Sequence, residues 1–279
     1  MKNRGLIIAL ITVLSIIAIG IVGVLVMLLK GNFGHIGLKG FGYNVSNELI
    51  VEEQFDAVYD EIWVDSDAGN ILFQKSKDEK IHVTIYGDED RTTVEEVGSR
   101  LQIKTKAKKC FGICFNVQAA KVEVQVPESF TGKFDLKNRF GDTEVEEFEH
   151  VTMDVENNYG NIDILAAKKV NIKEDCGDVK IGEVEDATIK NNLGDIKIDL
   201  VTNYVNLKNS CGDIKINEAK IEKDSFIEDN MGSIKIYSLN EVYVDAKTSL
   251  GDIKMNTNYR TADVTLKIDN DCGDIKVEN

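Results

Sequence analysis

A short motif recurs through the second half of this sequence and limits what the chain can fold into. The segments NRFGDTEV, NNYGNIDI, EDCGDVKI, NNLGDIKI, NSCGDIKI, DNMGSIKI, TSLGDIKM and NDCGDIKV follow one another. Their glycines are Gly141, Gly160, Gly177, Gly194, Gly212, Gly232, Gly251 and Gly273, separated by 19, 17, 17, 18, 20, 19 and 22 residues. A repeat this short cannot bury its apolar face alone. It must stack on its neighbours, so the architecture is a linear array of like units.

The residues inside each unit say what is stacked. Around Gly212, Val205, Leu207 and Cys211 alternate with Asn206, Lys208 and Ser210, and Ile214 and Ile216 alternate with Asp213 and Lys215. Period two is the mark of half-buried strands. The alternation slips at the glycine, which a strand can do only through a bend or bulge. Each unit therefore reads as strand, glycine corner, strand. Stacked at about 4.8 Å per step, the units predict an all-β, single parallel β-solenoid with rungs of 17–22 residues.

Equivalent slots of successive rungs should form ladders. The slot before glycine holds Phe140, Tyr159, Cys176, Leu193, Cys211, Met231, Leu250 and Cys272. It is apolar throughout and is expected in the core. Its cysteines fall in no two adjacent rungs, about 10 Å apart at the nearest, too far for a disulfide, and are expected to pack as small hydrophobes. Three residues before glycine lie Asn138, Asn157, Glu174, Asn191, Asn209, Asp229, Thr248 and Asn270. Parity turns them inward, but Glu174 would be costly in a dry interior, which places the slot near the rim. After glycine come Asp142, Asn161, Asp178, Asp195, Asp213, Ser233, Asp252 and Asp274. Such a row could attract calcium, but the GGxGxD nonapeptide of calcium-binding solenoids is absent. Lys180, Lys197, Lys215, Lys235, Lys254 and Lys276 lie two positions on, so a solvated, charge-paired face is the expected reading, with no metal and no cofactor.

Residues 48–130 carry looser strands. Ser66 to Phe73 is a weaker copy of the unit, followed by strands at 81–85, 101–104 and 122–126; Thr92 to Arg100 reads as a short helix or loop. These are expected to form the opening coils and cap, ahead of the regular solenoid of residues 131–279. One segment breaks the polar surface pattern, Lys109-Cys110-Phe111-Gly112-Ile113-Cys114-Phe115. It should form a hairpin tip, either folded against the solenoid end or offered to a partner or membrane. Cys110 and Cys114 could close a small disulfide in an oxidising compartment.

Gly5 to Leu29 contains no charge over 25 residues, about 37 Å as a helix and enough to span a bilayer. It exceeds the apolar stretch of a cleaved signal peptide and lacks a small-residue cleavage pattern. It is expected to be a retained anchor. Lys2 and Arg4 precede it and only Lys30 follows, so residues 1–4 should be cytoplasmic and the remainder outside a plasma membrane. Residues 30–47 form a Gly-rich linker. Beyond residue 30 the formal charge is −18, which argues against nucleic acid as partner. Five cysteines are too few for a disulfide scaffold.

His35, His82 and His150 are scattered and sit in no catalytic or metal motif, and neither GxSxG nor HExxH occurs. With the Phe55–Ile62 opening, the Ala68-Gly69-Asn70-Ile71 unit, the Val124-Gln125-Val126-Pro127 strand end and the repeated Gly-Asp-Ile-Lys-Ile, residues 50–279 resemble the bacterial adhesin-like β-strand-repeat family of unknown function that includes the LiaG-like proteins. The resemblance implies an envelope protein, with adhesion or envelope stress signalling as proposed roles, and carries over no catalytic residues. The expected function is non-enzymatic binding. Its partners would be the bilayer through residues 5–29 and an envelope polymer or membrane protein. The alternative is a structural spacer or sensory accessory without a ligand site.

Overall fold

A computed structural model of the chain describes residues 44–45, 47–107 and 118–278. Among these residues the secondary structure is strand, apart from one 3-10 turn at Glu89–Arg91. No described helix is long and apolar enough to cross a membrane. Residues 5–29, most of the 30–47 linker and the Cys110–Phe115 tip lie outside the described residues.

Each rung contributes one strand before its glycine and one after. The first set stacks as one parallel ladder and the second set as another. Strands such as Thr143–Tyr159 and Ile162–Cys176 run through both ladders, because the chain leaves the post-glycine ladder of one rung and enters the pre-glycine ladder of the next. The register is strict: Ile162, Val179, Ile196, Ile214, Ile234 and Ile275 fall on one line.

The stacking order departs from chain order at both ends. The Gly69 rung lies between the coil containing Arg100–Thr105 and Gln118–Val126 and the Gly141 rung. At the far end, Thr265–Cys272 pairs with Ser225–Met231 on one side and Tyr243–Leu250 on the other, so the Gly273 rung is inserted between those of Gly232 and Gly251. Thr92–Val97 is a strand, antiparallel to Arg100–Thr105, rather than a helix or loop. Its Thr-Thr-Val-Glu-Glu-Val run is rich in β-branched residues, which favour extended backbone. It and Leu49–Asp56, antiparallel to Lys80–Tyr86, edge the first end of the stack, and each carries a Glu-Glu pair that discourages further strand addition. At the other end the Asn258 side chain accepts from the Val244 N–H and donates to the Val244 carbonyl, both at 2.9 Å, standing in for a strand.

The core lies between the ladders. Leu136, Ile172, Ile189, Leu207, Ile227 and Ile268 point in from the first, and Ile164, Ile181, Ile198, Ile216 and Ile236 from the second, all fully or almost fully buried. The Asn row is buried with them rather than at the rim: Asn138, Asn157, Glu174, Asn191, Asn209, Asp229 and Asn270 are each at most 3% exposed. The corner explains why polar residues are accepted there. Gly212 has φ +135°, and a Cβ on it would lie 2.1 Å from the Gly194 carbonyl oxygen. That conformation turns the glycine carbonyl toward the row three residues back. Asn209 Nδ2 donates to the carbonyls of Gly212 at 2.9 Å and Gly194 at 3.2 Å, and Asn138 does the same for Gly141 and Gly69. One amide thus satisfies two carbonyls that would otherwise be buried without donors.

Glu174 and Asp229 occupy Asn positions in this column. Burial pushes the Glu174 carboxyl up to about 8, against the pull of the Cys176 N–H, and pushes Asp229 up to about 7, with the carboxylates of Asp213 and Asp195 adding to the effect. Both are carboxylic acids over most of the acid range.

Two predictions follow from the corner. Gly212→Ala places a Cβ on the carbonyl of the rung beneath and should cost on the order of 3–5 kcal/mol in urea denaturation of the full chain. A loss below about 1 kcal/mol would contradict the close approach. Asp229 has its native pKa raised above the unfolded value of 3.8, so it withdraws stability as pH rises from about 4 to about 7. Asp229→Asn should therefore stabilise by on the order of 2–4 kcal/mol at about pH 8 and by little at about pH 4, read as the shift in urea midpoint.

Candidate functional site

The slot before each glycine is not in the core. Phe140 is 49% exposed, Tyr159 53%, Met231 57% and Leu250 70%; Cys272 is exposed, and Cys176, Leu193 and Cys211 are partly so. Parity fails because the chain begins to turn right after the buried Asn position. The carbonyl before each glycine then accepts from the glycine N–H of the rung before it in the stack, as the Cys176 carbonyl does from Gly160 at 3.1 Å, and the side chain is left outside. The result is an apolar ridge running along the stack. Phe140 and Tyr159 stack face to face upon it, with centroids 5.0 Å apart and 4° between planes.

The acidic row beside the ridge is bonded to backbone rather than to the lysines. Asp178 Oδ1 accepts from the Asp195 N–H at 2.9 Å, Asp195 Oδ1 from Asp213 at 2.8 Å, and Asp213 Oδ1 from Ser233 at 2.8 Å. Asn161 serves equally well, accepting from Asp178 at 3.0 Å, because an amide oxygen does the same work. Each carboxylate thus commits one oxygen to the next rung, and a straight row with one free oxygen per step does not converge on a cation that takes six to eight oxygens. Between the Asp and Lys rows the described residues contain one ion pair, Lys235–Asp213 at 3.6 Å. Lys180 reaches Asp163 and Lys197 reaches Asp199, while Lys215 lies over the Tyr237 ring at 4.9 Å. The expected cross-row pairing is therefore replaced by Asp-to-backbone bonds and dispersed lysine contacts.

On the outer face of the pre-glycine ladder lies an open groove of about 470 Å³. Its walls are two outward rows, four and six residues before glycine. Asn171, Thr188 and Asn206 form one, and Lys173, Lys190 and Lys208 the other; Asp135, Asp154 and Glu156 make the earlier end acidic. The sequence reading passed over these rows because outward polar slots look like ordinary solvated surface. Their signal was the repetition of Lys four residues before glycine. Rows repeating at the rung spacing suit an extended, repetitive ligand better than a compact one.

Among the described residues the two histidines, His82 and His150, stand apart. His82, on the strand Lys80–Tyr86, hydrogen-bonds Asp78 in the exposed bend before it at 2.8 Å, and that bond, with the Lys80 N–H, holds the Asp78 carboxyl down at about 2. His150 lies on another part of the chain. The corner glycines Gly141, Gly160, Gly177, Gly194, Gly212, Gly232, Gly251 and Gly273 line up, with Gly69 extending the series.

Among solved structures, a candidate adhesin of Bacteroides fragilis NCTC 9343 matches with a TM-score of 0.50 at 20% identity, covering 85% of this chain and 100% of that one. A candidate adhesin of Parabacteroides merdae ATCC 43184 matches at 0.41 and 11% identity over 85% and 99%. A candidate lipid-binding protein of Parabacteroides distasonis ATCC 8503 matches at 0.41 and 16% over 85% and 100%. The similarity to the first is one of fold. No curated protein matches the sequence. The model of one family matches residues 59–278, the whole run from the first coil to the last described rung, and the chain belongs to that family, Toastrack DUF4097.

Proposed function

We propose that this chain is a membrane-anchored, extracytoplasmic binding protein, adhesin-like and without catalysis, whose recognition surface is the flank of the solenoid. The observation that carries the reading is the periodic outer surface, where a polar groove runs along the stack with the step of the rungs. A ligand that contacts one rung meets near-equivalent side chains on the next, so weak contacts add along its length. The candidate adhesin of Bacteroides fragilis, similar in fold, supports a binding role. The uncharged run Gly5–Leu29, with its basic residues ahead of it, supports attachment to a bilayer with the solenoid outside. An envelope polymer or the outer part of a membrane protein is the partner class that fits this placement.

Three outcomes test the proposal. In cells with an opened wall, external protease should remove the solenoid from tagged full-length protein, and a soluble processed form would refute the anchor. Retention of the full chain on envelope polymers should fall roughly tenfold in Asn171→Ala with Asn206→Ala, whose side chains line the groove; retention unchanged by that pair would move recognition elsewhere. Calcium should shift the melting temperature no more than sodium chloride of equal ionic strength, because the Asp row lacks convergent oxygens.

A further inference from the structure

The ridge before the glycines presents apolar side chains to solvent along the stack, and no described residue covers it. Its order is set by the stacking rather than by the sequence. Because the Gly273 rung is inserted beneath that of Gly251, Cys272 lies two rungs from Cys211, and Cys176 lies two rungs from Cys211 on the other side. In chain order Cys272 would be three rungs away. The three ridge cysteines are thereby symmetric about Cys211.

We propose that this ridge is a homodimer interface, in which two copies pack ridge to ridge and antiparallel about a two-fold axis through Cys211. A two-fold contact requires a self-complementary surface, residue i meeting j as j meets i. The axis brings Leu193 opposite Met231, Cys176 opposite Cys272 and Tyr159 opposite Leu250, so each of these positions meets an apolar or thiol side chain, while Phe140 lies one rung beyond the overlap.

The row four residues before glycine gives independent support. In stacking order it reads Lys137, Glu156, Lys173, Lys190, Lys208, Glu228, Asp269 and Lys247. The same axis sets Lys190 against Glu228, Lys173 against Asp269 and Glu156 against Lys247, three opposite-charge pairs, each made twice, and sets one like-charge contact, Lys208 against its own copy, on the axis; within one chain Glu228 already holds Lys208 at 2.9 Å and Asp269 holds Lys267, so the new pairs join existing ones. The parallel arrangement, with the axis along the ridge, would set this row against the lysines after glycine, Lys173 against Lys180 and Lys190 against Lys197. Electrostatics therefore select the antiparallel mode. On the far flank the lysines after glycine meet one another, so the contact leans toward the pre-glycine face. The axis also brings Asp175 toward Asp271, a like-charge pair that weakens the dimer and serves as a handle on it.

The test uses the full chain in detergent with Cys110→Ser and Cys114→Ser, oxidised by copper–phenanthroline and dioxygen, which takes two protons and two electrons from each thiol pair as the disulfide forms. A chain keeping only Cys211 should cross-link to a dimer. A chain keeping Cys176 and Cys272 should give the Cys176–Cys272 disulfide by mass spectrometry, and one keeping only Cys176 should stay monomeric. Cross-linking through Cys176 alone would indicate the parallel mode, and equal or absent cross-linking in all three would indicate collision or no dimer; each overturns the proposal. Under reducing conditions, sedimentation should show Lys190→Glu weakening association roughly tenfold, Lys190→Glu with Glu228→Lys restoring it, and Asp175→Asn strengthening it. Association driven only by residues 5–29 would be indifferent to these changes, and that result too would overturn the proposal. The substituted side chains are surface ones, so folding is retained as the control.

Discussion

The close approach of each glycine to the carbonyl beneath it is the constraint on which the rest of the structure depends. A Cβ at Gly177, Gly212 or Gly232 would lie 1.7–2.1 Å from an oxygen of the preceding rung, nearer than any side chain can sit. The corner admits glycine and nothing larger, and it points a carbonyl into the interior. An amide three residues back must then meet that carbonyl, and an oxygen one residue on is free to accept from the next rung. The Asn–x–x–Gly–Asp pattern is thus one device: a sterically forced corner and two side chains that satisfy the polar groups it exposes.

The two carboxylic acids in the Asn column show that the device tolerates variation only at a cost in free energy. Glu174 and Asp229 are buried where an amide would donate, and each keeps its proton far above the ordinary carboxylate range. A protonated acid can donate as an amide does, whereas an ionised one offers only acceptors to a place already lined with carbonyl oxygens. The column holds its polar groups together through donors, and its weak points are the positions where the donor can be lost.

Much of the architecture was legible in the sequence, because glycine, the inward isoleucines and the rung length repeat. Ile196, Ile198, Val205 and Leu207 all lie where period two puts them. What parity could not reveal is what happens inside the corner. Counting by twos carries Cys211 inward with Val205 and Leu207, yet the chain has already turned at Asn209, so an apolar row meant for the core in the reading is a surface in the fold. The role of the Asp row was hidden for a related reason: a carboxylate accepting from backbone and one paired with lysine have the same sequence signature. The order of the last rungs was not legible at all, since near-identical repeats compete equally for any neighbour, and only loop lengths such as that between Met255 and Thr265 distinguish them.

The inserted rung has a mechanical consequence. A regular stack unravels from its end, because the final strand is held along one side and peels away bond by bond. Here the segment Ile275–Val277 is clasped between Ile234–Ile236 and Ile253–Met255. Tension on whatever follows residue 278 is borne by two ladders at once and loads their hydrogen bonds along the strand direction, in shear rather than in peel. The rung that actually closes the stack, at Gly251, is tethered by chain on both sides and offers no loose strand to pull. A molecule built this way is suited to holding under load at the very end where a simple stack would be weakest.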